Sequence, residues 1–247
     1  MLNESSAQNT AVFDAAQLIE AEEEVFRWQA QKAAQIVGVL ARLERTERVA
    51  DVGCFTGRLA LEYRRAGVQH IDGYDASPHA LERARARGLN TFLWSADHEP
   101  CPAAAETYDV TIAADIIEHL VNTDFFIAEL KRITRRGGHI IITTPNLAFW
   151  LNRLRLLVGK PPWSYPGPSS TIKLDVMLDT NHIRINTVAE WTHFFHASGL
   201  GVEQRLSYTL LEAIDGGLSV TLRRTVDRVL RRWPALAFGT LYVLRVR

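Results

Sequence analysis

The 247-residue chain has few cysteines, only Cys54 and Cys101, and no excess of charge of either sign. Two cysteines cannot form a disulfide framework, so we expect a reducing compartment and interpret the chain as cytoplasmic. Its 28 basic and 28 acidic residues create no overall field that would attract nucleic acid. It also lacks a secretory signal and an apolar run of the roughly 20 residues that a bilayer crossing needs. We therefore expect neither a nucleic-acid partner nor contact with a membrane.

Apolar residues are plentiful, and from Val49 onward they alternate between short runs and helix-like segments. Such alternation predicts parallel strands joined by helical crossovers. The predicted strands lie at 49–52, 71–74, 91–94, 108–113, 138–144, 202–207 and 238–246. The fold class that follows is α/β, with a doubly wound, seven-stranded, mostly parallel sheet and helices on both faces.

The chain divides into three parts by composition. Residues 1–46 are rich in alanine, glutamate, glutamine and leucine, which predicts an N-terminal helical cover. Residues 47–247 form the main domain. Within it the strand–helix rhythm breaks at about 147–181, where a proline-dense segment predicts a loop or lid that contributes to an acceptor site.

The segment 49–57 is an apolar run that contains Asp51 and continues into a glycine-bearing loop. A second acid, Asp75, closes the next apolar run. At the carboxyl edge of an α/β sheet, glycines let a ligand approach the backbone, and an acid at the second strand end can accept hydrogen bonds from ribose hydroxyls. The pair predicts a site for a nucleotide-like ligand, although Asp75 is also placed to cap the helix that begins near Ser77.

The loop does not match the dinucleotide fingerprint, because Phe55 and Arg58 stand where the second and third glycines belong. A nicotinamide-dependent enzyme therefore stays only a third alternative. The sequence D-V-G-C-F-T-G, followed 18 positions after Gly57 by Asp75, resembles motif I and the next acidic strand end of class I S-adenosylmethionine-dependent methyltransferases. The resemblance spans about 49–146 and implies a Rossmann-like methyltransferase domain.

The resemblance implies S-adenosylmethionine as cofactor. In that family the glycine loop passes the methionine part, the acid after strand two holds the ribose, an acid after strand three contacts the adenine, and a backbone carbonyl after strand four faces the ammonium group. The implied cofactor-binding residues here are Asp51, Gly53, Cys54, Phe55, Gly57, Asp75, Ala76, Asp97 and Ala114. The family usually has glycine where this chain has Phe55, and that departure motivates an alternative: a cofactor-binding partner protein without turnover.

Two further segments, 115–120 and 143–146, follow predicted strands four and five. They resemble the E-x-x-E-H-L and T-P-N signatures of ubiquinone-pathway and related small-molecule methyltransferases, with Asp115 in place of the first glutamate. The resemblance implies methylation of a small-molecule acceptor, most simply at oxygen. The catalytic candidates are His119, as the base for an acceptor hydroxyl, together with Glu118 and His182. The alternative is that Glu118 and His119 only contact the backbone of a neighbouring loop.

A metal-assisted variant also follows from a resemblance. Asp115, Glu118, His119 and the distant His182 are similar to the E-x-x-E-H and histidine set that holds magnesium in small-RNA terminal 2′-O-methyltransferases. These ligand types suit magnesium, zinc or manganese, and such an ion would lower the pKa of the acceptor hydroxyl. Our first interpretation needs no metal. The alternative for His182 and Arg184 is that they only brace the lid.

Aromatic residues outside the predicted sheet indicate an apolar or ring-bearing acceptor. Trp163 and Tyr165, flanked by prolines, are the preferred pocket residues, whereas Trp191, Phe194 and Phe195 recur on one helical face and are interpreted as core. Five arginines between 223 and 232 interleave with apolar residues. We interpret that segment as a solvated helix rather than a membrane or anion site.

Overall fold

The computed structural model describes residues 22–162, 182–209, 225, 229 and 232–247. Seven strands in this part of the chain form one sheet with the order β3-β2-β1-β4-β5-β7-β6. Strand β7 runs antiparallel to β5 and β6, and the remaining neighbours pair in parallel. The strands are β1 (Arg48–Val52), β2 (His70–Asp75), β3 (Asn90–Leu93), β4 (Tyr108–Ala114), β5 (Thr134–Pro145), β6 (Gly201–Tyr208) and β7 (Gly239–Arg245). The predicted α/β fold with a seven-stranded, mostly parallel sheet is confirmed.

The described helices are α1 (Glu22–Leu40), α2 (Arg58–Arg65), α3 (Pro78–Ala86), α4 (Thr123–Ile133), α5 (Trp150–Leu157) and α6 (Val188–Ala197), with 3₁₀ turns at Ile117–His119 and Pro234–Leu236. Helices α2, α3, α4 and α6 lie in helix-like segments that follow predicted strands 1, 2 and 4 and precede predicted strand 6, respectively. Helix α5 lies in the first part of the insertion at about 147–181, before the proline-dense segment that was predicted as a loop or lid. Most of that proline-dense segment lies outside the described residues. Among the described residues, each helix is too short or too polar to cross a bilayer.

Two apolar layers cover the faces of the sheet. One contains Phe126 of α4 and Phe195 of α6, and the other contains Ile36 of α1 and Tyr63 of α2. Side chains of a strand alternate between the faces of its sheet. In β5, Ile140 and Ile142 accordingly join the first layer and Ile141 the second.

The predicted core residues on α6 are in place. Trp191 and Phe195 are buried, with Phe194 packed beside them. The two preferred pocket residues, Trp163 and Tyr165, lie outside the described residues, and so does most of the arginine-rich segment 223–232.

At the carboxyl edge of the sheet, capping residues that are visible in the sequence mark where helices α3 and α4 begin. The Ser77 hydroxyl accepts a hydrogen bond from the Ala80 N–H at 3.2 Å, and Pro78 occupies the first turn of α3. Asn122 caps α4 in the same way, and its side chain accepts from Phe125 N–H. Since helices α2, α3 and α4 all begin just after this edge, their N-termini surround the predicted cofactor site.

Helix α1 is the described part of the predicted N-terminal cover. Its Ile36 and Leu40 are buried against the sheet. The Gln31 side-chain oxygen accepts the Thr209 N–H, and the Gln35 side-chain amide donates to the Ser207 carbonyl, both at 2.7 Å. The helix is therefore fixed to the carboxyl end of β6, on the side of the predicted site.

Candidate active site

The loop after β1 has an unusual backbone. Gly53, Phe55 and Gly57 have φ angles of 72°, 48° and 75°. Glycine adopts such left-handed angles freely, whereas a side chain makes them costly. The position at which methyltransferases usually carry glycine thus keeps a glycine-like conformation here, although its residue is Phe55.

Asp75 holds this loop in place. Its Oδ2 accepts the Phe55 N–H at 2.8 Å, and its Oδ1 accepts the Ser77 N–H at 2.9 Å. Burial raises the pKa of Asp75, and these backbone hydrogen bonds oppose the rise. The cap of α3 is the Ser77 hydroxyl, so the cap role considered for Asp75 is filled by its neighbour. Each carboxylate oxygen can accept a second hydrogen bond, which leaves acceptor capacity for ribose hydroxyls.

Asp51 is a buried acid at the carboxyl end of β1. Its Oδ2 has no hydrogen-bond partner among the described residues. Burial, followed by the charge of Asp75, raises its pKa to about 8, while Lys32 lowers it. Buried carboxylate oxygens are normally paired. The unpaired Oδ2 is therefore suited to accept from a bound cationic group such as the ammonium of an amino acid.

Asp51 makes the stability of the protein depend on pH. Because its pKa rises from 3.8 in the unfolded chain to about 8 in the fold, the folded state holds the proton more tightly. The contribution of Asp51 to the free energy of unfolding is therefore complete below about pH 4. It is lost as the pH rises from about 4 through about 8, by at most about 1.4 kcal/mol per pH unit. We expect Asp51→Asn to remove this loss.

Urea unfolding at pH 5, 7 and 9 measures the effect. The exposed Asp124→Asn serves as the control and should keep the wild-type profile. A profile for Asp51→Asn that falls as steeply as that of the wild type would contradict the assignment.

The other predicted cofactor residues are Cys54, Asp97, Ala76 and Ala114. Cys54 is buried, burial raises the pKa of its thiol, and a Cβ added to Gly73 would stand 2.8 Å from its Sγ, so Cys54 fills space and is not a nucleophile. The Oδ1 of Asp97 accepts the N–H groups of Val121 and Asn122 at 2.7 and 3.1 Å, which ties the chain after β3 to the start of α4. Ala76 directly follows strand β2, and Ala114 is the last residue of strand β4. Both are partly exposed.

A partly buried ion pair just after β4 was not predicted. Lys32 of α1, 2% exposed, donates to Asp115 Oδ2. Asp115 Oδ1 accepts from the Thr143 hydroxyl at 2.6 Å and from the Tyr208 hydroxyl at 3.2 Å. Burial opposes ionisation of Asp115, but Lys32 and Thr143 outweigh it and lower its pKa. A signal existed in the sequence, because Lys32 lies four residues before Ile36, on the apolar face of the helix.

The three catalytic candidates meet on the turn that follows β4. One ligand atom each of Glu118, His119 and His182 lie within 4.8 Å of one another. The two imidazole rings are 4.7 Å apart, and His182 Nε2 is 3.9 Å from Glu118 Oε1. Glu118 is fully buried, and burial, followed by the charge of Asp115, raises its pKa well above the ordinary value. Asp115, the fourth residue of the predicted metal set, is not in this group and instead pairs with Lys32.

The chain around His182 is held against the same turn by its backbone. The Glu118 carbonyl accepts the N–H groups of Ile183 and Arg184 at 2.9 and 3.0 Å. The Arg184 guanidinium donates to the carbonyls of Leu120 and Val121. Arg184 therefore holds the chain around His182 against the turn after β4, and these contacts bring His182 to His119 across 63 positions of sequence.

Comparisons with known proteins agree with this arrangement. A family model described as a methyltransferase domain matches residues 25–205. The ubiquinone biosynthesis O-methyltransferase of Rhizobium leguminosarum bv. trifolii is 30% identical over 103 residues, 40% of each chain. That of Vibrio cholerae is 32% identical over 105 residues, 40% of this chain and 42% of the relative. These matches thus span less than half the length of the curated relatives.

A solved structure extends the likeness in fold to almost the whole chain. The SAM-dependent methyltransferase from Thermotoga maritima superposes with a TM-score of 0.63 at 14% identity, over 94% of this chain and 97% of that one. The family model alone covers well over half of the chain. The sequence match and the shared fold lead to one conclusion: the chain belongs to the methyltransferase domain family, among the class I S-adenosylmethionine-dependent methyltransferases.

Proposed function

We propose that this protein transfers the methyl group of S-adenosylmethionine to an oxygen atom of a small-molecule acceptor. The observation that carries the proposal is the group of Glu118, His119 and His182, on the turn at the sheet edge that also bears the Gly53–Gly57 loop and Asp75. The name of the curated relatives, O-methyltransferases of ubiquinone biosynthesis, supports oxygen as the methylated atom.

The residues present fit the cofactor. The unpaired Oδ2 of Asp51 suits its ammonium group, and the remaining acceptor capacity of Asp75 suits its ribose. We propose that Asp97, Ala76 and Ala114 complete the cofactor site with Cys54 and the loop 53–57. When bound, the cofactor supplies a methyl group already activated by a positively charged sulfur.

The protein has two tasks in such a reaction. It must hold the acceptor oxygen in line with the methyl group, and it must take the hydroxyl proton as the new bond forms. His119 is partly exposed, whereas Glu118 and His182 are buried. We therefore assign His119 as the base that takes the proton, with Glu118 and His182 as the groups that position its ring.

The acceptor site is proposed for the insertion of about 147–181, with the N-terminal cover 1–46 beside the main domain 47–247. In the described part of the insertion, Phe149 is buried and its ring lies 5.8 Å from that of Trp150. The indole N–H of Trp150 is buried and has no partner among the described residues. An aromatic or apolar acceptor with one polar group suits such a wall.

The proposal is tested by combining cofactor binding with product analysis. Isothermal titration should detect binding of S-adenosylhomocysteine, the demethylated product, and should detect no binding of NAD. A panel of phenols, catechols and aliphatic alcohols, matched to amines of the same carbon skeleton, should yield methyl ethers by mass spectrometry. Methylation of the amines alone would overturn the choice of oxygen. Cofactor binding without turnover on either panel would favour the non-catalytic partner protein.

A metal-assisted version of the reaction is the second candidate. It rests on the ligand atoms of Glu118, His119 and His182 within 4.8 Å and on the Glu118 carboxylate, neither oxygen of which has a hydrogen-bond partner among the described residues. A divalent ion would satisfy those oxygens and lower the pKa of an acceptor hydroxyl. Two imidazoles favour zinc or manganese over magnesium, which prefers oxygen ligands.

If the metal is used, a chelator should lower turnover more than tenfold, and one of Mg²⁺, Mn²⁺ or Zn²⁺ should restore it. Glu118→Gln should remain inactive after the ion is added, because an amide is a poorer ligand than a carboxylate. Binding of S-adenosylhomocysteine is the control and should not respond to the chelator. Full turnover in the chelator would eliminate the metal.

A further inference from the structure

We propose that Lys32 binds the carboxylate of the methionine part of S-adenosylmethionine, and that it leaves Asp115 for this carboxylate when the cofactor binds. Helix α1 is then part of the cofactor site rather than only a cover over the sheet. The inference rests on the proposed function, since it assigns one more residue to the same site.

The position of Lys32 is the first observation. Lysine is rarely buried, because its ammonium loses the solvation of water. This one is 2% exposed and extends from α1 to the turn after β4, where it pairs with a residue 83 positions away. That turn leads directly to Glu118 and His119, so the ammonium lies at the functional edge of the sheet.

Asp115 is able to release Lys32 without losing all its partners. Its carboxylate also accepts from the hydroxyls of Thr143 and Tyr208, at 2.6 and 3.2 Å. Two hydroxyl donors keep the carboxylate satisfied when the ammonium turns to another anion. Asp115 has a φ of 52°, and its backbone N–H is fixed by the Thr143 carbonyl at 3.1 Å, so the carboxylate stays in place during the exchange.

The charged groups around Lys32 are complementary to the two charged groups of an amino acid. The methionine part of the cofactor ends in an ammonium and a carboxylate. Asp51 carries an unpaired buried oxygen, and its pKa responds to the charges of both Lys32 and Asp75. An amino acid placed between them would direct its ammonium to Asp51 and its carboxylate to Lys32, which adds no net charge to a buried region.

A comparison of the affinities for two ligands distinguishes binding of the cofactor carboxylate by Lys32 from a general role of Lys32 in folding. S-adenosylhomocysteine carries the amino-acid end, and 5′-methylthioadenosine has the same nucleoside thioether without it. Isothermal titration of both ligands is carried out on the wild type, Lys32→Met, Lys32→Arg and Lys131→Met. Lys131 is the control lysine, since its Nζ donates to the Ser198 carbonyl at 2.6 Å, at the end of α4.

We expect Lys32→Met to lose about 10- to 100-fold in affinity for S-adenosylhomocysteine and less than threefold for 5′-methylthioadenosine. Lys32→Arg should retain most of the affinity, and Lys131→Met should bind both ligands as the wild type does. Equal losses for the two ligands in Lys32→Met, or no loss for either, would overturn the inference while the proposed function stands. A wild type that binds neither ligand would overturn the proposed function and this inference with it.

The single substitution Lys32→Met leaves Asp115 without its counterion, and the loss of that ion pair can prevent folding. The double variant Lys32→Met with Asp115→Asn removes both charges and replaces the single variant in that case. Its binding of 5′-methylthioadenosine reports that the nucleoside site has formed. Wild-type affinity of the double variant for S-adenosylhomocysteine would overturn the inference, and a selective loss of that affinity would support it.

Discussion

Asp75→Ala lowers the affinity for S-adenosylhomocysteine by about 100-fold or more. The alanine removes two acceptors for ribose hydroxyls, and hydrogen bonds to a charged group contribute about 1.5–3 kcal/mol each. It also frees the N–H of Phe55, whose left-handed backbone Asp75 fixes at 2.8 Å. The loop over the cofactor then loses its anchor in addition to the ribose contact. Isothermal titration at constant pH and salt measures the change.

Asp72→Asn is the matched control, because Asp72 lies on the same strand three residues earlier. Its oxygens accept from Asn90 and Tyr108 instead of the glycine loop. This variant should bind the ligand within threefold of the wild type. If Asp75→Ala binds as tightly as Asp72→Asn, the carboxylate of Asp75 does not hold the ribose.

His119→Ala lowers turnover by about 10²- to 10⁴-fold, the range typical of losing a general base. Its affinity for S-adenosylhomocysteine should stay within threefold of the wild type, because no contact assigned to the cofactor involves this ring. Steady-state turnover with the best acceptor found in the panel, together with titration of the ligand, measures both effects.

His79→Ala provides the control for removing an imidazole, since His79 lies on the exposed side of α3. It should retain full turnover. His182→Ala should reduce turnover less than His119→Ala if His182 only positions the neighbouring ring. Parallel losses of turnover and cofactor affinity in His119→Ala would show that the residue supports the fold of the turn instead of the reaction.

The sheet could be predicted because its signals are local. Each strand is a short apolar run, and the capping residues Ser77, Asn122 and Thr187 stand directly before their helices. Asp75 could be singled out for the same reason, since its place at a strand end is visible in a window of ten residues. Its backbone contacts to Phe55 and Ser77 were not visible, because they depend on how two loops lie side by side.

Lys32 escaped prediction because its burial depends on a residue 83 positions away. A lysine in a helix is solvated unless tertiary structure covers it, so composition alone assigns it to the surface. Helix α5 was not among the predicted helices, and its residues Leu154, Leu156 and Leu157 are apolar yet exposed, as is the neighbouring Val158. The grouping of His182 with His119 was anticipated only through the family resemblance.

The N–H of Leu147 donates to the Asn186 carbonyl at 3.1 Å, and Asn146 is fixed by the carbonyls of Pro234, Ala235 and Ala237. The chain therefore leaves and re-enters the main domain at adjacent points. Segments with neighbouring ends can be exchanged between homologous proteins with little disturbance to the scaffold. Chimeras spliced at 147 and 186 thus offer a route to new acceptor specificity, provided that His182 and Arg184 are kept, because this chain segment is fixed to the turn that bears Glu118 and His119.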